Sequence, residues 1–506
     1  MRRLHTYLLG VFFLTLAFFI GKTEVRAAEN ITVTISVERF TLGQGYIVKP
    51  KKVTVKSGTT ISQIVETVLA EEGYRPHIDT HSSYGWYLTG IYNADTGKSR
   101  VPVSVMELAP DVFDGVYKAG ILSVSENDDY PELAEFSYQM EGMSTGWFYY
   151  VNNTGPGYGM GLYKPDDQDV IRVQFTLAMG DLAKVPNIDE ATRALAIMRD
   201  YLKASSDTEI SAIYDDSLAI ISDMDAEKDL VLQVQDLLKP VGEDLADGKK
   251  NQSYTDTCLK IREIYNIVKA HDVELRIGLL PRELTLDYRS LVEDTQGLYG
   301  ALSNDQKALI TSEEKESLES AVSVMEILVE EARKAKEEED KKAASQVTSK
   351  INAIGKVTLD KETAIVQARK AYDALDADAK KMVSSTILSK LTKAESQLAL
   401  LKKEEALKKK YTPPKVVLKK AKAGKKKVKL VWKKTAGATG YQIFTSAKKL
   451  TGYKKIATIK KVKTIKYTKT KLKSGKTYYF RIRAYRKVGK KVYYGSYSAV
   501  KKAKVK

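Results

Sequence analysis

The spacing of apolar residues changes twice along the chain, and each change marks a new kind of structure. In "ITVTISVERF", Ile31, Val33, Ile35 and Val37 alternate with polar residues, the period-two signature of a half-buried strand. "KKVTVKSGTTISQIVETVLAEEGY" continues the alternation and then shifts to a helical period, in which Ile61, Ile64, Val65, Val68 and Leu69 share one face. Thr60 and Gln63 have the spacing of a capping box, and Gly73 is placed to stop the helix. "GWFYYVNN" and "DVIRVQFTL" predict two more strands. Residues 186–404 then keep a helical period, rich in Ala, Leu, Glu and Lys and poor in Gly. Pro413 and Pro414 mark a linker, after which alternation returns in "KVKLVWKK", "TGYQIFTS", "KKIATI", "IKYTKTKL", "TYYFRIRAYR" and "VYYGSYSA". The pattern predicts a multidomain chain with an α+β domain over 30–182, an all-α centre and an all-β sandwich over 415–506.

The centre carries a duplication. "TLDYRSLVEDTQGLYGALSNDQKALITSEEKESLESA" from Thr285 aligns without gaps with "TLDKETAIVQARKAYDALDADAKKMVSSTILSKLTKA" from Thr358, at an offset of 73. Tyr299 meets Tyr372, Leu302 meets Leu375, Asp305 meets Asp378, Lys307 meets Lys380, and Leu318 meets Leu391. The expected parts are a helical segment 186–280, repeat units 281–333 and 351–404, a charged, solvated helical linker 334–350, and a linker 405–414. Each repeat reads as an antiparallel helical unit turning at "ALSNDQKALI" or "ALDADAKKMV", with Ser303 and Asp376 as N-caps.

Charge adds what periodicity cannot. The net charge is +18, but 32 of the 82 Lys and Arg lie in Tyr411–Lys506, where there is no Asp or Glu. The rest of the chain therefore has 50 basic against 64 acidic residues. A basic end on an acidic body points to an anionic partner for that end. The N-terminus supplies the compartment: Arg2, Arg3 and His5, then an apolar run Leu8–Ile20, then Val25 and Ala27, read as a secretory signal peptide over 1–27. Cys258 is the only cysteine, so no disulfide can form within the chain. The expectation is a secreted, cell-wall-associated bacterial protein with no stable membrane span after signal cleavage. Its basic end would meet anionic wall polymers rather than nucleic acid, through Lys419, Lys420, Lys425, Lys426, Lys427, Lys502 and Lys504.

Two resemblances sharpen this picture. Trp432 in the second strand of the sandwich, Tyr441 in "GATGYQIF" and Tyr478 in "LKSGKTYYFRIRAY" match the core tryptophan, third strand and corner tyrosine of the fibronectin type III family. The stretch 411–506 thus resembles that family, as it occurs on Gram-positive surface proteins. The resemblance implies a spacer or adhesion module, with the Tyr478 hydroxyl bonded to backbone near Leu472. Over 31–182, "SGTTISQIVETVL", "GWYLTGIYN", "STGWFYYVNN" and "DDQDVIRVQFTLAMGD" resemble, in order and spacing, the transcobalamin C-terminal-like domain family. That resemblance implies a β-grasp-like fold, a small sheet wrapped round one helix, with cobalamin as a ligand and no required cofactor. In eukaryotic relatives the domain closes over cobalamin together with a helical barrel; here the helices follow the domain and are short repeats.

The aromatic strand is the richest chemical feature. In "GWFYYV", Trp147, Tyr149 and Val151 face one way, Phe148 and Tyr150 the other. One set is core; the second is either exposed as a platform or covered by the segment 93–135. Trp86, Trp147, Tyr149, Tyr150, Tyr158 and Tyr163 form the expected ligand-facing set, with Tyr84 and Tyr87 nearby. "GPGYGMG" lacks the following helix and Gly-Lys-Ser/Thr ending of a phosphate loop and reads as a connection between strands. His77, Asp79 and His81, the turn aspartates Asp166, Asp167 and Asp169, and the pair Cys258 and His271 all lack the ligand number or spacing of a metal or nucleophile site. The expected function is a non-catalytic surface binding protein; the alternative is a structural adhesin recognising protein or glycan.

Overall fold

The computed structural model describes residues 29–82, 85–92, 98–108, 122–123, 146–177, 180–248, 250 and 252–506, without side-chain detail at 81–82, 98–99 and 122–123. The expected signal peptide, Tyr84, the His81 side chain and most of 93–135 lie outside the described residues. The chain divides into two compact units, Met1–Ala332 and Arg333–Lys506.

In the first unit, β1 (Asn30–Glu38) and β2 (Tyr46–Lys56) form an antiparallel pair. Helix α1 (Ile61–Glu71) follows, opened by Thr60, whose backbone N–H donates to Gln63 Oε1 at 3.0 Å, and closed by Gly73 at φ +89°. Next come the hairpin β3 (Arg75–Ser82) and β4 (Gly85–Tyr92), the short pair β5 (Lys98–Ser99) and β6 (Leu122–Ser123), and the four-residue helix α2 (Val103–Met106) between them. The last two strands are β7 (Gly146–Val151) and β8 (Val170–Thr176). The main sheet runs β2-β1-β8-β7, with β1 and β8 parallel and the other neighbours antiparallel. The alternating apolar residues of β1 pack with Ile61, Ile64, Val65, Val68 and Leu69 of α1 in one core, as their spacing predicts.

The other face of this sheet departs from expectation. A half-buried strand should leave Thr34, Ser36 and Glu38 in water, yet all three are buried, as is every residue of β8. Helices α3 (Asp189–Ala204), α4 (Thr208–Ile221), α5 (Lys228–Ala246) and α6 (Thr255–Gly278) form a bundle, and α3 lies across β2, β1 and β8. The polar residues beneath it saturate one another. Arg172 reaches Glu38 through Nε at 2.9 Å and Nη2 at 2.6 Å, and Gln174 and Ser36 donate to the same carboxylate at 2.8 and 2.5 Å. A buried ion pair survives desolvation only when its remaining hydrogen-bonding positions are filled in this way. Gly242 lets α5 approach α3, since a Cβ there would sit 2.9 Å from that of Ala194.

The duplication is preserved element by element. A 3₁₀ turn Leu286–Tyr288, α7 (Arg289–Ala301), α8 (Asn304–Leu309) and the start of α9 (Ser312–Asn352) recur 73 residues later as Leu359–Lys361, α10 (Glu362–Asp373), α11 (Ala377–Met382) and α12 (Ser385–Tyr411). The turn between the long helices is itself a short helix. Ser303 Oγ accepts from the Gln306 N–H, and Asp376 accepts from those of Asp378 and Ala379. The charged stretch 334–350 is helical and mostly exposed, as the continuation of α9, but its Ala344 and Val347, with Ile351 and Ile354, are buried and complete the core of α10 and α12. The end of α6 serves α7–α9 in the same way through Ala270, Val273 and Ile277. Each unit thus borrows one face of the helix before it.

The second unit ends in a two-sheet sandwich. Strands β9 (Leu418–Gly424), β10 (Lys427–Trp432) and β13 (Lys466–Thr470) form one sheet in the order β13-β10-β9. The other runs β12 (Lys454–Ile459), β11 (Gly440–Ser446), β14 (Thr477–Val488), β15 (Lys491–Tyr494), with β16 (Lys501–Lys504) also on β14. Trp432 packs edge-to-face on Tyr441 at 5.3 Å in the core. The Tyr478 hydroxyl accepts from the backbone N–H of Lys473 at 3.3 Å, one residue from the expected position. Gly440 has no room for a side chain, because a Cβ would lie 2.0 Å from the Ile459 carbonyl oxygen.

Candidate functional site

The aromatic strand and the glycine loop meet in a cleft. β7 alternates as its pattern requires, but the inward set is the one carrying the tryptophan. Trp147 is 2% exposed and packs edge-to-face on Phe175 at 5.3 Å, and Tyr149 is also buried. The sequence left open which set is core; it is the Trp147 and Tyr149 set, although both residues also border the cleft. The outward residues are Phe148, 45% exposed, and half-buried Tyr150. Phe148 is absent from the sequence-derived set although its period-two position marks it.

The loop after β7 begins with a two-residue turn. Asn152 and Asn153 have φ of 47° and 56°, and Val151 and Thr154 exchange N–H···O bonds of 3.0 Å. The chain then crosses the start of α1. There the N–H groups of Ile61 and Ser62 donate to the carbonyls of Tyr163 at 3.0 Å and Met160 at 3.1 Å. These are helix-terminal donors that would otherwise lack partners. The same donors could have served a phosphate; the loop's own backbone uses them. Tyr149 Oη donates to the Tyr158 carbonyl at 2.6 Å, Tyr158 stacks on Tyr163 at 5.7 Å, and Tyr163 meets Tyr149 edge-on at 6.2 Å. On the far wall, Trp86 is held by its indole N–H donating to Glu66 at 2.7 Å, and Gly161 admits it closely, with a Cβ position 3.0 Å from its own.

Between β4, β7 and the loop lies a cavity of about 570 Å³, within the size range of small-molecule sites. Its walls include Trp86, Tyr87, Phe148, Tyr150, Tyr158 and Met160, and among the described residues no charged side chain lines it. Burial pushes the Tyr149 hydroxyl up to about 12, helped by Tyr158 and Tyr163. Burial raises Tyr150 and Tyr163 as well, so the phenols stay protonated at neutral pH. The indole Nε1 of Trp147 is buried in the core, with no hydrogen-bond partner among the described residues.

The structure brings Trp86, Trp147, Tyr149, Tyr150 and Tyr158 to one cavity and stacks Tyr163 behind Tyr158. The other polar groups do not converge. Among the described residues no three His, Cys, Asp or Glu side chains could hold a metal together. The His77 ring lies 5.3 Å from that of Tyr92. Asp169 accepts from Asn152 and from the Asp166 N–H, and Asp167 accepts from the Thr32 N–H at 2.7 Å, which lowers its pKa. Burial raises the Cys258 thiol, and His271 lies beside Glu274. Lys420 and Lys427 lie on the three-stranded sheet, Lys425 and Lys426 in the β9–β10 turn, and Lys502 and Lys504 on β16 of the other sheet, which packs beside β9. Lys419 is the extra residue of a β-bulge, between the pairs Lys420 with Val431 and Leu418 with Trp432.

No family model and no curated protein matches the sequence. Solved structures similar to part of it include the beta-1,2-glucanase from Parabacteroides distasonis, at 22% identity over 19% of this chain and 13% of that one, with TM-score 0.17. The chain thus spans only a small part of the glucanase's length. An Fn3-like protein from Clostridium thermocellum is similar at 22% identity over 17% of this chain and 86% of that one, TM-score 0.14. A fibronectin type III domain derived from human KIAA0970 protein is similar at 17% identity over 19% of this chain and 73% of that one, TM-score 0.15.

Proposed function

We propose that the chain is a secreted, non-catalytic surface binding protein of a Gram-positive bacterium that takes up a flat, neutral small ligand in the aromatic cleft. The carrying observation is the cavity walled by Trp86, Phe148, Tyr150 and Tyr158, which no charged side chain lines among the described residues. Aromatic planes favour a flat apolar ring system. The main sheet, with its first and last strands central and parallel and one helix on its face, supports a β-grasp-like domain. This agrees with the resemblance to transcobalamin C-terminal-like domains, and cobalamin is the first ligand to try. The strand order of the sandwich, its Trp432–Tyr441 core and its Tyr478 corner support a fibronectin type III module. In this reading the module is a spacer whose positive charge holds the protein on anionic wall polymers.

The test is calorimetric titration of the full chain with cyanocobalamin, repeated on Phe148→Ala/Tyr158→Ala. The expected outcome is saturable heat in the wild type and affinity at least tenfold weaker in the variant, from two lost apolar contacts. Absence of saturable binding overturns the corrinoid reading and leaves the adhesin alternative, in which the same exposed aromatics meet a protein or glycan.

A further inference from the structure

The lysines of the sandwich are not spread evenly over its strands. Alternation along β9, β10 and β13 sends Ala421, Ala423, Val428, Leu430 and Tyr467 inward to the core. The opposite positions are Lys420 and Lys422 on β9, Lys427 and Lys429 on β10, and Lys466 on β13, all exposed. Register places them side by side. Lys429 is directly opposite Lys422, and Val431 lies between Lys420 and Lys466. Like charges opposite one another destabilise a sheet, so this arrangement works against folding. Neighbours lie about 5 Å apart across strands and about 7 Å along them, within one Debye length at physiological salt. No carboxylate exists between Tyr411 and Lys506 to relieve the repulsion.

The five-stranded sheet carries arginines beside its exposed lysines. Arg481 lies 4.1 Å from the Tyr453 ring centroid and 3.8 Å from that of Tyr497, and Arg483 lies 4.0 Å from that of Tyr494. These arginines are stacked on aromatic rings, whereas the cations of the three-stranded sheet are lysines alone.

We propose that the outer face of the β9-β10-β13 sheet is the polymer-binding surface, and that its partner is a linear phosphodiester polymer without stacking bases. This rests on the proposed attraction of the sandwich to anionic wall polymers and says where that attraction acts. Lysine ammoniums are point charges on flexible stems that can follow a mobile chain of phosphates, and the face carries no arginine fork to impose bidentate geometry. Nor does it offer an aromatic plane for a base, Val431 being its one large apolar residue.

The test measures binding of the full chain to synthetic poly(glycerol phosphate) from 50 to 300 mM NaCl. It compares Lys422→Gln/Lys429→Gln/Lys466→Gln with the charge-matched control Lys454→Gln/Lys455→Gln/Lys487→Gln on the other sheet. The face variant should bind about tenfold or more weakly at low salt, with the log–log salt slope reduced by about 2, as for three lost phosphate contacts; the control should change less than about threefold. Thermal unfolding of the face variant should be unchanged or shifted upward, which separates lost binding from lost folding. Equal losses in the two variants overturn the assignment of the face while keeping the charge reading. No binding by the wild type at 50 mM overturns both. Equal or tighter binding of single-stranded oligothymidylate overturns the choice of partner.

Discussion

At the scale of single residues, the cleft depends on hydroxyls and indoles whose hydrogen bonds fix which edge they show. Tyr149 illustrates this. Its ring closes the core, while its hydroxyl holds the loop by donating to the Tyr158 carbonyl. Removing that bond in Tyr149→Phe should lower the stability of the first unit by about 1 kcal/mol in urea unfolding. The pH dependence is more diagnostic. Folding raises this phenol from 10.0 to about 12, chiefly by burial, so the folded chain holds the proton more tightly than the unfolded one. The associated stability is complete below pH 10 and is lost as pH rises through 12. Tyr214 and Tyr254 are also raised to about 12, so wild-type stability should fall steeply over this window. Tyr149→Phe should fall less steeply, having one group fewer. Parallel wild-type and variant curves between pH 10 and 12 would show that Tyr149 does not ionise late.

At the scale of elements, the duplicated helices offer a built-in control, because the same joint occurs twice with different chemistry. Ser303 caps α8 with a hydroxyl, while Asp376 caps α11 with a carboxylate that also receives Lys336. Ser303→Ala should cost about 1 kcal/mol, and Asp376→Ala should destabilise its unit in the same direction. The aspartate should also lose its effect in acid: its pKa is lowered to about 2, mainly by Lys336, so its contribution disappears as pH falls from 4 towards 2. Equal sensitivity of the two caps to acid, followed by denaturant unfolding, would contradict this. Much at this scale was legible in the sequence. The offset of 73 located every helix of the second repeat from the first, and the Thr60, Ser303 and Asp376 boundaries could be read from side-chain chemistry alone. What could not be read was long-range cover. Thr34, Ser36 and Glu38 look like a solvated strand face because local pattern contains no sign that α3, about 150 residues later, lies on them. The stretch 334–350 likewise looks solvated because its charges outnumber Ala344 and Val347, the two positions that pack. In the cleft, alternation separated Trp147 and Tyr149 from Phe148 and Tyr150, but only tertiary packing decides which pair is core.

At the scale of the whole molecule, the two proposed kinds of recognition rest on different chemistry, and salt should separate them. The cleft is walled by tyrosines, tryptophans and Phe148, without a charged lining among the described residues, so the affinity proposed for it rests on apolar contact. The sandwich has 32 basic and no acidic residues in Tyr411–Lys506, and the attraction to a wall proposed for it is electrostatic. The Debye length falls from about 10 Å at 0.1 M salt to about 3 Å at 1 M, which is shorter than the spacing of lysines on the sheet face. Full-length protein bound to isolated Gram-positive walls in 50 mM NaCl should therefore be released in 1 M NaCl. Ligand affinity of the cleft, measured by calorimetry in the same two buffers, should change by less than about threefold, or rise slightly, since salt strengthens apolar association. Retention on walls in molar salt would mean that contacts other than charge hold the protein. A cleft affinity that falls in parallel with wall binding would mean that the ligand is itself anionic and is drawn by the sandwich. Only the divergent response, release from the wall with undiminished capture, fits a chain whose acidic body carries a neutral pocket and whose basic end does the anchoring.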